Sequence, residues 1–287
     1  MHEDLLAGQQ RAALVKLGSD RDCLLGSLHR VDADHFVARP ELASAHPYIE
    51  AFGWSHPITV SELYRQMSVA VVRLCLAVPE ENDYALTRMA WAYAAPWSVS
   101  EPVRAFHLRL GERSSRNGHV AKLAMSGQVL GAAERSLCRV ELRGGFYPKQ
   151  VLLALMKRAL GELAPEEAAV SWPPTQLLAP TGASGEGSRV QFNASIDHPY
   201  FHHNVAMEER LHVPAAMTLA AGLELLERQA ADAEARLELS LELQRFVAFG
   251  RRDTEFRVSR LGELWQLSLW QDGVERGRML AGPGAST

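Results

Sequence analysis

The chain has 287 residues, 47% of them hydrophobic and 22% charged, with a formal net charge of −4. That length suffices for one large domain or two of about 100–150 residues, each able to bury a core. The acidic balance argues against a dedicated nucleic-acid binder, and no apolar run reaches the roughly 18–20 residues that span a bilayer.

Residues 1–19, beginning MHEDLLAGQQ, open with acidic side chains and hold no long apolar core. They read as an N-terminal extension, not a secretion signal, and the chain as cytoplasmic. Next comes LLGSLHRVDADHFVA, a strand candidate. The tripeptide His46-Pro47-Tyr48 then starts a polar loop that passes through Pro57 into HPITVSELYRQMSVAV. There Ile58, Leu63, Met67, Ala70 and Leu74 recur at helical spacing, with no broad polar face in the first half, so a buried helix is expected. Strand-like runs follow in YALTRMAWAYAAPW, PVRAFHLRLGE, HVAKLAMSGQ and GAAERSLCRVELRG, with a turn signal at Arg116-Asn117-Gly118. Trp54, Trp91 and Trp97 near strand ends suit the lining of a tunnel and a core equally. Residues 146–169 read as an amphipathic linker helix, and the turn-rich stretch 173–188 as exposed.

The second half repeats the first. After the strand candidate RVQFNAS comes His198-Pro199-Tyr200, 152 residues beyond the first copy. Its surroundings, IDHPYFHHNVAMEERLHVPAAM, hold four of the chain's 11 histidines and lead through Pro214 into a second apolar helix with Met217, Ala221 and Leu225. Four more strand-like runs follow, with Asp272-Gly273 as a hairpin turn. The order strand, loop, buried helix, antiparallel strands occurs twice. We therefore expect an α+β double hotdog, two antiparallel sheets each wrapped around a central buried helix and joined edge to edge, which hides two aggregation-prone edges. The expected boundaries are 1–19 for the extension, 20–142 for the first unit, 143–171 for the linker helix and 172–287 for the second unit.

The stretch HPITVSELYRQMSVAV resembles the Glu-x-x-Arg-Gln helix of A-factor biosynthesis (AfsA-type) enzymes, and DHPYF followed by HVPAAM is similar to that family's second-half loop. SLHR at 27–30 fits its opening strand. The resemblance spans roughly residues 25–281 and implies an acyltransferase. Such enzymes move a β-ketoacyl group from an acyl carrier protein to the hydroxyl of a small phosphorylated three-carbon acceptor such as dihydroxyacetone phosphate, leading to a butenolide or γ-butyrolactone. The resemblance implies no cofactor, and the partners it implies include neither nucleic acid nor a membrane. The chain departs from the family at Ala220, where the second helix has its Glu; Glu224 and Glu227 lie near the same helix face.

Carried onto this sequence, the resemblance makes Glu62, His198, His203 and Asn204 the catalytic candidates, and Arg65, Gln66, His46, His56, Tyr200 and His202 the substrate-binding ones. A carboxylate in an apolar helix is expected to have its pKa raised, which would suit Glu62 as general base. Arg65, one helical turn away, would either pair with Glu62 or clamp a phosphate. No metal is expected, because adjacent histidines in an extended segment point to opposite sides and the three cysteines are widely spaced with no CxxC pair. Two other readings remain open. One is a hotdog dehydratase or thioesterase acting on carrier-bound thioesters, although neither half has the dehydratase Gly-His-Phe-Pro-Gly loop; the other is a non-catalytic acyl-binding protein.

Overall fold

The computed structural model describes residues 4–76, 78–95, 97, 103–116, 119–160, 176–179, 185–194, 198, 213–229, 237–247 and 253–283. Helix α1 (Arg11–Val15) precedes the hairpin β1 (Leu25–Arg30) and β2 (His35–Pro40). Helices α2 (Pro47–Phe52) and α3 (Pro57–Cys75) follow, then β3 (Asn82–Tyr93), β4 (Ala105–Arg116), β5 (His119–Leu130) and β6 (Ser136–Pro148). Helix α4 (Lys149–Leu160) leads to the second half, with β7 (Arg189–Gln191), α5 (Ala215–Gln229), β8 (Leu237–Leu243), β9 (Glu255–Leu261), β10 (Leu264–Gln271) and β11 (Val274–Pro283).

Among the described residues, eleven strands form one antiparallel sheet in the order β1-β2-β4-β5-β6-β3-β8-β11-β10-β9-β7. The pattern β2-β4-β5-β6-β3 is matched strand for strand by β7-β9-β10-β11-β8, so the two halves share one topology and meet where β3 pairs with β8, Trp91 opposite Leu239. The chain is a double hotdog. Its central helices are α3 and α5, which pack on one another. Thirteen of the nineteen residues of α3 are buried, Leu63, Met67 and Ala70 among them, which is what a helix apolar on nearly all sides requires. Each long apolar side chain so buried contributes about 1.5–3 kcal/mol.

Local chemistry accounts for the element ends. Pro57 stands at the start of α3, where its missing N–H removes no intrahelical bond, and the His56 ring accepts from the Ile58 N–H (3.3 Å). Asp272 and Gly273 both have positive φ (54° and 71°), the backbone of a type I′ turn between β10 and β11. Asn117 and Gly118 lie outside the described residues.

Three expectations need correction. LLGSLHRVDADHFVA is two strands, because Asp32 accepts from the Asp34 N–H (2.8 Å) and folds the middle into a turn. The first His-Pro-Tyr starts a helix: His46 caps α2, its Nδ1 accepting from the Tyr48 N–H (3.2 Å). Leu177 and Leu178, expected in an exposed stretch, are buried, and Leu178 bridges to Phe192.

The residues expected as an N-terminal extension are built into the first unit. Leu6, Val15 and Leu17 join the core. The C-terminal carbonyls of α1 would otherwise be unsatisfied. Arg73 of α3 donates to those of Ala13 (3.3 Å) and Leu14 (2.7 Å), and Arg65 to that of Val15 (3.0 Å).

Tyr64 of α3 sets a close approach to the sheet. Its hydroxyl donates to the His107 carbonyl (2.9 Å), and a Cβ built on Gly127 would lie 2.2 Å from its ring. Gly127→Ala should therefore force the ring or β5 aside and cost about 1–3 kcal/mol. A chemical-denaturation midpoint equal to that of the unaltered chain would contradict this packing.

Candidate active site

A cavity of about 440 Å³ lies between the two units, within the roughly 300–1,000 Å³ usual for small-molecule sites. Val69, Val72, Met89, Phe146, Leu152 and Met156 give it apolar walls. Glu62 and Arg65 of α3 line it with His46, and Ala215, Ala216 and Thr218 bring in the first turn of α5. Lys16 and Arg73 also line it.

Glu62 and Arg65 form a two-pronged pair. Arg65 Nε donates to Glu62 Oε2 (2.7 Å), Arg65 Nη2 to Oε1 (2.6 Å), and the Gln66 amide to Oε1 (2.9 Å). This geometry follows from i, i+3 and i, i+4 spacing on one helix face. It also corrects an expectation. Burial pushes the Glu62 carboxyl up, but the Arg65 charge and hydrogen bonds, His46 and Gln66 outweigh it and hold the carboxyl below its ordinary range. Glu62 is ionised at neutral pH, and Arg65 is its counter-ion.

The other expected residues divide. His46 is buried beside its own cap and faces the cavity. Gln66 lies beneath the site: its Oε1 accepts from the Leu24 N–H (2.8 Å), tying α3 to the residue just before β1. His56 does not line the cavity; it caps α3 and stacks on Phe52, ring centroids 4.9 Å apart. His198 is buried. His202, His203, Asn204 and Tyr200 lie outside the described residues. Trp91 is core, 2% exposed. In α5, Ala220 is buried while Glu224 pairs with Arg228 (2.6 Å) near the surface; neither Glu224 nor Glu227 lines the cavity.

The sequence reading missed Lys16. It pairs with Asp83 and donates to the Asn82 carbonyl (3.3 Å). Burial, then the charges of Arg73, Lys149 and Arg65, push its amine down to about 8. The available signal was rarity, since the whole chain has only four lysines.

His56 gives a pH prediction. Burial pushes its pKa from 6.5 down to about 4. Between those values the unfolded chain binds more protons than the folded one, so stability falls as pH drops from 6.5 to about 4, by at most about 3 kcal/mol. His56→Asn, which keeps a capping acceptor, should flatten the melting temperature across this window; an unchanged slope would contradict the assignment.

No protein-family model matches the chain, and no curated protein does. Solved structures do. A MaoC-like dehydratase has a TM-score of 0.53 at 9% identity, covering 85% of this chain and 89% of its own. An acyl-ACP thioesterase from Bacteroides thetaiotaomicron has a TM-score of 0.45 at 10% identity, covering 78% and 88%. The first likeness places this chain among hotdog folds. Among the described residues no helix is long and apolar enough to cross a membrane, and no three histidine, cysteine, aspartate or glutamate side chains converge as a metal site.

Proposed function

We propose that the chain is an enzyme acting on carrier-linked acyl thioesters, with the acyl chain in the cavity between the units and the reacting carbonyl at its polar end. The observation that carries this reading is a buried carboxylate, Glu62, paired with Arg65 and set beside His46 in the wall of a cavity whose other walls are largely apolar. Glu62 takes the proton from an oxygen nucleophile as that oxygen attacks the thioester carbonyl. The first turn of α5 brings a partial positive charge towards the oxyanion that forms. Collapse of the tetrahedral intermediate breaks the C–S bond, and the departing thiolate regains the proton.

In the finer reading the nucleophile is the hydroxyl of a phosphorylated three-carbon acceptor, and the product is a β-ketoacyl ester that closes towards a butenolide. The likeness of the Glu62-x-x-Arg65-Gln66 helix and the 198–217 loop to A-factor biosynthesis enzymes supports it. His198, His203 and Asn204 would then complete the catalytic set, with Tyr200 and His202 beside the substrate. A second reading, hydrolysis of the same thioester or dehydration of a β-hydroxyacyl one, is favoured by the pairing of Lys16 with Asp83 and Arg65 with Glu62, which engages cations an acceptor phosphate would recruit. Intact-mass analysis of a β-ketoacyl carrier protein, with and without dihydroxyacetone phosphate, separates them. Deacylation that requires the acceptor supports transfer, and deacylation without it supports hydrolysis. Loss of water from a β-hydroxyacyl carrier supports dehydration, and an unchanged carrier in every arm overturns the enzyme reading.

A further inference from the structure

We propose that the exposed face of α4 is the docking surface for an acidic carrier protein, which delivers its thioester arm into the adjacent cavity; this rests on the thioester reading above. Helix α4, KQVLLALMKRAL, carries Lys149, Lys157 and Arg158 and no carboxylate, in a chain whose net charge is −4. Of the chain's four lysines, Lys149 and Lys157 stand on α4, and Lys149 lines the cavity together with Lys16.

The helix also carries apolar side chains to solvent. Val151 is 47% exposed and Leu155 43%, one turn apart on one face. Leu152 and Met156, each one residue further on, are buried and line the cavity wall. Leu155 does both: it lines the cavity and reaches solvent, so α4 stands at the mouth. An apolar pair flanked by cations suits a transient partner whose surface is acidic. The charges steer the encounter and set its orientation, and the apolar pair supplies desolvated contact. A long flexible arm on that partner has only the thickness of one helix to cross. Val151 and Leu155, the large apolar side chains exposed among the described residues of α4, are few for seating on a lipid surface.

The test compares one acyl group on an acidic acyl carrier protein, on coenzyme A and on N-acetylcysteamine. The variants are Lys157→Glu with Arg158→Glu, and Val151→Asp, with Arg189→Glu on the distant edge strand as the charge control. We expect kcat/KM on the carrier-linked substrate to fall tenfold or more through KM, the loss shrinking at high salt. Turnover of the N-acetylcysteamine thioester should be unchanged, and Arg189→Glu should alter neither. An equal loss on the small thioester, or no loss on the carrier, overturns the proposal. So does a loss confined to coenzyme A, which would make the patch a nucleotide site, or lost binding to anionic vesicles with carrier kinetics intact. Titration of fluorescently labelled, unacylated holo-carrier protein tests docking without catalysis. At least tenfold weaker binding by the Lys157/Arg158 variant supports the surface even if no thioester is turned over; equal binding overturns it.

Discussion

Glu62→Gln should lower thioester turnover by about 10²–10⁴-fold, the usual contribution of a positioned general base. Glutamine keeps the shape and one acceptor for Arg65 but cannot take a proton. Glu224→Gln and Glu227→Gln should each cost less than tenfold, because Glu224 sits in an outer pair with Arg228 and neither residue reaches the cavity. The two helices are thus unequal, one with an ionised carboxylate in the cavity wall and the other with a buried alanine, Ala220. Retained activity in Glu62→Gln, with loss in Glu224→Gln or Glu227→Gln, would move the reaction to the opposite side of the interface.

Arg65→Met should be the most destabilising of the site substitutions. It leaves the Glu62 carboxylate in apolar surroundings and takes a donor from the Val15 carbonyl. Removing one partner of a buried pair costs about 3–5 kcal/mol. The pH dependence has a definite sign. Without Arg65, burial raises the Glu62 pKa above its unfolded value, so the folded state binds the extra proton and part of the lost stability returns as pH falls. Any thioester turnover that remains should lose its acid limb at a higher pH than in the unaltered chain, since in the proposed reaction Glu62 must be ionised. Thermal melts at two pH values check the first point, and a pH–rate profile the second. Equal stability with an unmoved acid limb would mean that Arg65 does not hold the base.

Much of this architecture is legible in the sequence because repetition supplies its own control. Two His-Pro-Tyr copies, each ahead of a proline and an apolar helix, specify α3 and α5, and the turn residues Asp272-Gly273 specify the last hairpin. The site was partly legible. Glu62 and Arg65 share a helix face by spacing alone, but the direction of the Glu62 shift depends on two guanidinium hydrogen bonds, an amide from Gln66 and the nearby His46 ring, and periodicity carries none of these. The N-terminal segment was misread for a similar reason. Its short helix has weak local signals, and what secures it is long-range: Arg65 and Arg73, some 50 and 60 residues away, cap its carbonyls. Lys16 enters the cavity only because that segment docks.

In the proposed reading the cavity between α3 and α5 holds the acyl chain of a thioester. The most direct measurement is photolabelling with an acyl-pantetheine thioether carrying a terminal diazirine, followed by peptide mapping of the modified residues. Labels are expected in peptides containing Val69 and Val72, Met89, Phe146, or Leu152 and Met156, suppressed by an unlabelled acyl competitor. Competitor-sensitive labelling confined to the second unit's outer strands, with none on those walls, would contradict it.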